Sequence, residues 1–339
     1  TILLGEGTFD ENLVVTKPLT LRGLGFGATH LTSLLFKRCD LDAVNRSMMA
    51  QVRRARTETE RQRVWARIRT KRAELIRPTV WIKDTDGVVI EGLRLSGRAE
   101  REEGVVNPGV VVAFENARGA IRNCAVLGSP GRGIAVRSGS DVDIERCLVA
   151  AIWATGIEVG EENGPPAKAR IRACDVRRCV HRGITVAPGC DDVRIEDCRI
   201  SLSAWHGVRY DDASPTLRRN VIAGNQKSGI YASGTTQAVV EENLILGNAG
   251  EGMSCWFQNH DAIRRNTFAG NDVVAIGLAG GSRPLVEENV FYRSFVAIDG
   301  LHLSVEPMAT TSPPPFPIRG NVWFKCARLT RAAKRAEAE

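Results

Sequence analysis

A chain of 339 residues, 43% hydrophobic and 25% charged, can bury a sizeable core as one large or two ordinary domains, and is too apolar to be disordered. No apolar run reaches the roughly 18 residues that a membrane-spanning helix requires. The net charge of +7 belongs to one segment: between Phe36 and Pro78 lie 13 Lys/Arg against 5 Asp/Glu, while the rest of the chain holds 33 against 34.

The opening TILLGEGTFD reads as mid-strand, with no signal peptide visible, as expected of a chain trimmed from a longer one. Strand-like segments run to THLTSLLF and resume at TVWIKDTDGVVIEG. The 37–78 stretch between them is predicted to be helical. Leu41, Val44, Met48, Val52 and Ala55 make one apolar stripe, and Val64, Ile68 and Leu75 a second. Thr57 with Glu60 forms a candidate capping box, which favours a helical hairpin over one long rod. This basic insertion is expected to pack on the main body or to serve as a docking or oligomerisation element. Nucleic-acid binding is disfavoured, because Trp65 is its sole aromatic suited to base stacking.

From Cys124 onward the chain repeats. The phrases IRNC, IERC, IRAC, IEDC, LRRN, VEEN, IRRN, VEEN and IRGN end at Cys124, Cys147, Cys174, Cys198, Asn220, Asn243, Asn266, Asn289 and Asn321, with spacings of 23, 27, 24, 22, 23, 23, 23 and 32. Fainter copies end at Leu24 and Leu93. A Gly or Ala followed by an aliphatic residue recurs nine positions on, as in Gly133-Ile134, Gly207-Val208 and Ala275-Ile276. Apolar residues three before and two after the marker are mostly β-branched or aromatic and alternate with polar ones, the pattern of short strands. Several short strands per period of about 23 residues predict an all-β parallel solenoid of about 11 coils, spanning 1–330 and interrupted by 37–78.

Equivalent residues of successive coils stack about 4.8 Å apart. The residue two before each marker reads Glu91, Arg122, Glu145, Arg172, Glu196, Arg218, Glu241, Arg264, Glu287, Arg319. Strict alternation of sign makes this face a structural ladder rather than a binding track. Cys and Asn at the marker form an interior stack, and Cys179, Ser203, Asn225, Asn248, Asn271, Ser294 and Cys326 a second. These stacks account for Cys174 and Cys179 in the sequence CDVRRCVH, so no metal site is read there and no cofactor is expected. Nine cysteines, an odd number in a long chain, argue against a disulfide framework, and free thiols lean toward a reducing, cytoplasmic compartment. Toward the end, MATTSPPPFP at 308–317 reads as a stiff loop and 331–339 as a helical tail or cap.

The strand after the Gly marker has irregular outward positions. Two after it come Ala135, Glu158, Thr185, Arg209, Tyr231, Ser254, Gly277 and Asp299; four after it come Asp211, Ser233 and Trp256. Corners add His181-Arg182 and Trp205-His206. One patch is therefore expected to gather Glu158, Arg182, Trp205, His206, Arg209, Asp211, Tyr231 and Trp256.

The recurring GI and IxxN phrases resemble the right-handed parallel β-helix repeats of the pectin-lyase-like superfamily, and GEGTFDENLVVTKPLTLRGLG resembles the opening coils of its pectin-methylesterase-like and NosD-like members. That resemblance implies the fold and a carbohydrate ligand, but transfers no catalytic residue: neither an Asp cluster fit for calcium nor the paired-Asp hydrolase pattern surrounds Asp211-Asp212. The reading is a β-helix binding or interaction module for an elongated ligand, a polysaccharide or a protein partner. The alternative is a polysaccharide lyase or C5-epimerase acting on a uronate polymer, with Arg209 or Arg182 neutralising the carboxylate and His206 or Tyr231 taking the C5 proton.

Overall fold

The computed structural model describes residues 1–32, short stretches between 50 and 64, and residues 78–97, 109–293, 298–301 and 318–324. Among the described residues, three parallel sheets of 12, 12 and 11 strands run side by side along the solenoid. Each coil contributes one strand to sheet A, then one to sheet B, then one to sheet C. Coil 7, for example, comprises Val193–Glu196, Arg199–Ser201 and Val208–Asp211. Coils are numbered from the N-terminus, so that the sheet C strands of coils 5 to 10 are Ile157–Val159, Ile184–Val186, Val208–Asp211, Ile230–Ser233, Met253–Trp256 and Ile276–Ala279.

The core is a set of columns. Ile121, Ile144, Ile171 and Ile195 stack in sheet A, Val126, Val149, Val176 and Ile200 in sheet B, and Ile134, Ile157, Ile184 and Val208 in sheet C. All are buried. Each such side chain withdrawn from water contributes about 1.5–3 kcal/mol. Phe268 and Phe291 continue the sheet B column as stacked rings 5.4 Å apart.

The polar markers sit inside, one corner away. Asn220, Asn243, Asn266, Asn289 and Asn321 pass side-chain hydrogen bonds from coil to coil at 2.9–3.1 Å. Asn225, Asn248 and Asn271 form the second ladder at 2.9 Å. Where the stack changes to cysteine, the thiols of Cys124, Cys147, Cys174 and Cys198 donate instead to backbone carbonyls. The seven described cysteines are free and buried; Ser294 and Cys326 lie outside the described residues.

Glycine recurs at the entry to sheet C because backbones pass too closely there for a side chain. A Cβ on Gly133, Gly156, Gly183, Gly207, Gly229 or Gly252 would stand 2.5–2.8 Å from the carbonyl oxygen of the next coil.

The sheet A charge ladder is in register from end to end, and it extends one coil before Glu91, to Arg22 of the faint copy that ends at Leu24. Glu241 accepts from Arg264 at 3.1 Å and from Arg265 at 2.6 Å, and lies 3.4 Å from Arg218. A second alternating series occupies the adjoining corner: Asp197, Arg219, Glu242, Arg265 and Glu288 hold left-handed backbone angles, with φ of 53–58°. Arg219 grips Asp197 at 2.7 and 2.8 Å. Pairing along the axis offsets part of the cost of that conformation in non-glycine residues.

The 69 residues from Leu24 to Leu93, which match three periods in length, are a single coil. The Thr29–Thr32 strand of sheet B and the Val80–Lys83 strand of sheet C belong to the same turn, so the insertion departs from and returns to the corner between sheets B and C. Within it, Thr57 and Glu60 form the reciprocal capping box, Thr57 N to Glu60 Oε2 at 3.3 Å and Glu60 N to Thr57 Oγ1 at 3.1 Å, ahead of helical residues 59–64. The remainder of the insertion, the 308–317 loop and the 331–339 tail lie outside the described residues.

Candidate functional site

The outward column of sheet C is aligned as Ala135, Glu158, Thr185, Arg209, Tyr231, Ser254 and Gly277, with Asp299 next in backbone register. Beside it run Asp211, Ser233 and Trp256. The alternating strand places Tyr210, between Arg209 and Asp211, wholly inside the solenoid.

Coils 6 to 8 converge on an aromatic and cationic cluster. The His206 ring packs 4.7 Å from that of Tyr231, and the Arg209 guanidinium lies over Tyr231 at 5.1 Å. Arg209 also holds Asp211 in a bidentate pair at 2.6 and 2.9 Å. Trp205, 39% exposed at the B–C corner, has Arg182 at 5.5 Å and Lys227 at 4.2 Å from its ring centroid. These residues come from the coils before and after it, so Trp205 holds two cations in place instead of offering a bare platform for a sugar ring.

Arg182 is the electrostatically unsettled member. It is half-buried, its Nε has no hydrogen-bond partner, and among the described residues no carboxylate forms an ion pair with it. Burial, then the nearby Arg209 charge, pull its pKa below the usual arginine value, with Asp211, Glu158 and Tyr231 opposing. His206, only 7% exposed, is held neutral: burial first, then Arg182, Arg209 and Lys227, push its pKa down to about 4. Its Nδ1 lacks a partner.

The remaining predicted residues stand apart. Glu158 on coil 5 is taken up by Arg132 at 2.5 Å and Arg137 at 3.3 Å. Trp256 on coil 9 donates from Nε1 to Ser254 Oγ at 2.9 Å, and its ring lies 6.4 Å from Phe257. Cys174 and Cys179 point into the core, whereas His181 is exposed and lies 5.6 Å from Trp205. Lys227 was missed from the sequence patch. It stands two before Gly229, the place that Trp205 holds before Gly207, so extending the corner comparison by one coil would have found it.

The family model for the right-handed β-helix region matches residues 77–200 and 183–307. The chain belongs to that family. Its fold is that of the pectin-lyase-like superfamily. Among solved structures it is similar to the periplasmic alginate epimerase AlgG, at 13% identity and a TM-score of 0.52, covering 74% of this chain and 76% of that one. It is also similar to the A-module of the Azotobacter vinelandii mannuronan C-5 epimerase AlgE4, at 11% identity and a TM-score of 0.57, covering 97% and 88%. No curated protein matches the sequence.

Proposed function

We propose that this β-helix binds an acidic polysaccharide across the outer face of sheet C, with a uronate carboxylate seated on Arg182. The observation that carries this reading is the half-buried Arg182 guanidinium, whose Nε is unpartnered and which, among the described residues, forms no ion pair with a carboxylate. An incoming carboxylate supplies the missing charge and accepts charge-assisted hydrogen bonds from a planar donor fork. Arg209 and Lys227 add to the local positive potential. Two structural neighbours are named as alginate or mannuronan epimerases, ligands of the same class. A protein partner fits this site less well, because its unmet demand is for a compact anion.

A second reading, a uronate lyase or C5-epimerase, is favoured by one observation: a neutral imidazole with an unpartnered Nδ1, packed on Tyr231 and within the field of Arg182, Arg209 and Lys227. An arginine on the carboxylate acidifies the C5 proton and neutral His206 is in the right state to accept it. Elimination then breaks the C4–O bond, whereas reprotonation from the opposite face inverts C5. The near-complete burial of His206 puts this reading second, since the base must reach the sugar.

The test is a screen of the purified chain against acidic and neutral polysaccharides. Binding, ultraviolet absorbance of unsaturated uronate ends, and C5 configuration by proton NMR are followed together. Retention of acidic polymers alone supports the binding reading, and new unsaturated ends or inverted C5 centres that vanish in His206→Phe support the second. Equal retention of neutral polymers, or none of any, contradicts both.

A further inference from the structure

Most strands of sheet C turn the corner toward sheet A through a residue in the left-handed region. Aligned by strand register, that place holds Asp84, Asn116, Ser138, Asp212, Gly234 and Gly280, with φ of 43–85°. These residue types tolerate the conformation, because glycine has no Cβ and short polar side chains bond nearby groups. The polar ones do so here. Asn116 donates to Asp84 at 3.0 Å, Ser138 donates to Glu161 at 3.1 Å, and Asp212 accepts from the Thr235 amide at 2.8 Å. Coil 9 puts Phe257 in the same place, at a φ of 64°. It is the one aromatic residue with a left-handed angle among the described residues, and its ring has no polar atom to offset the strain.

Packing does not account for it. The Phe257 side chain is 55% exposed. It leans toward coil 10, where a Cβ on Gly280 would meet Phe257 Cδ1 at 3.2 Å, and its ring lies 6.4 Å from that of Trp256. Burial of the ring would offset the conformation, whereas leaving more than half of it in water does not. A bulky residue held at the surface in a costly backbone conformation points to a ligand that meets it there.

Phe257 also completes a line. Arg182 stands one before the glycine marker on coil 6, Arg209 and Tyr231 two after it on coils 7 and 8, and Trp256 and Phe257 four and five after it on coil 9. The line climbs three coils, about 14 Å, and crosses six residues of chain, about 20 Å, so it spans roughly 24 Å obliquely across the sheet. It begins at a cation without an ion pair and ends at an exposed aromatic ring, whose apolar face suits a sugar.

We propose that Phe257 is a sugar-stacking subsite, and that the polysaccharide runs obliquely over coils 6 to 9 with an acidic sugar on Arg182 and a later sugar on the Phe257 ring. This rests on the reading of sheet C as an acidic-polysaccharide site. The ring meets the apolar face of a sugar, charged or neutral. Arg182 therefore selects for charge, and Phe257 for a ligand long enough to reach it.

The experiment joins stability and binding in the full chain. Phe257→Gly, which gives coil 9 the residue of coils 8 and 10, is expected to melt at the wild-type temperature or higher. The probes are oligomannuronates and oligogalacturonates in two lengths, trimers too short to span the line and octamers that exceed it. Wild type is expected to bind the octamers at least about tenfold more tightly than the trimers. Phe257→Gly is expected to weaken octamer binding about threefold to tenfold, to leave trimer binding unchanged, and to be rescued by Phe257→Tyr at the same position. A lowered melting temperature in Phe257→Gly makes the ring a packing residue and overturns the inference. So does a loss shared equally by trimers and octamers, or no loss, with the acidic-polysaccharide reading left in place. Failure of every fragment to bind overturns both.

Discussion

The Tyr210 hydroxyl donates to Asp261 Oδ2 across 2.5 Å in the interior of the solenoid, directly behind the outward pair Arg209 and Asp211. Asp261 also accepts from Asn259 Nδ2 at 2.7 Å and from the Ala238 amide at 2.7 Å. The column above and below Tyr210 is Val186 and Ala232; the small alanine leaves room for a phenol, and the carboxylate gives its hydroxyl a partner.

Removal of that hydroxyl therefore has a pH-dependent cost. Burial raises the Asp261 pKa above its usual value, and the Tyr210 hydrogen bond opposes the rise. In Tyr210→Phe the folded-state pKa climbs further. A raised carboxyl pKa contributes stability that is present below the unfolded pKa and lost as pH rises through the folded one. Tyr210→Phe is thus expected to lose about 1.5–3 kcal/mol at neutral pH and less at pH values below the Asp261 titration. Urea denaturation at both pH values checks this, and an equal loss at each contradicts it.

The sheet A ladder makes a sharper distinction among surface charges than exposure alone. Glu241, 7% exposed, is in contact with three arginines, whereas Glu288 is largely exposed and 3.7 Å from Arg265. Glu241→Ala leaves three guanidinium groups crowded together and is expected to cost about 1–3 kcal/mol. Glu288→Ala is expected to cost less than about 0.5 kcal/mol. Thermal melts of the two variants, repeated at high salt, read the difference.

His206 gives the fold an acid-sensitive point. Its folded pKa is depressed to about 4, below the unfolded value near 6.5. Between these values the unfolded chain binds a proton that the folded chain does not, so stability falls as pH drops through that window. The full effect is about 3 kcal/mol. His206→Phe is expected to flatten the dependence of the urea midpoint on pH between about 6.5 and 4. A histidine that titrates near its ordinary value by NMR rules this out.

Much of this architecture is legible in the sequence because a solenoid repeats its contacts. The alternation from Glu91 to Arg319, the asparagine stacks and the outward column from Ala135 to Gly277 all follow from a fixed period. What escapes is whatever depends on corner length. A corner insertion adds residues without adding a coil, so the stretch from Leu24 to Leu93 looks like three coils and is one. Asp261 is invisible for the same reason: it lies in the variable corner between sheets C and A, where no marker tells inside from outside. At the site, the convergence of His206, Arg209 and Tyr231 follows from their columns. The orientation of Arg182 and Lys227 about Trp205 does not, because side-chain direction at a corner depends on its local turn.

The central claim is that Arg182 is the anion-binding group of sheet C, and the most direct measurement is the affinity of Arg182→Ala for an acidic polysaccharide as a function of salt. Loss of one charge-assisted interaction is expected to weaken binding about tenfold to a hundredfold, to reduce the salt dependence, and to leave the melting temperature nearly unchanged or raised, since a half-buried cation without an ion pair is removed. Unaltered affinity and salt dependence in Arg182→Ala would contradict the account.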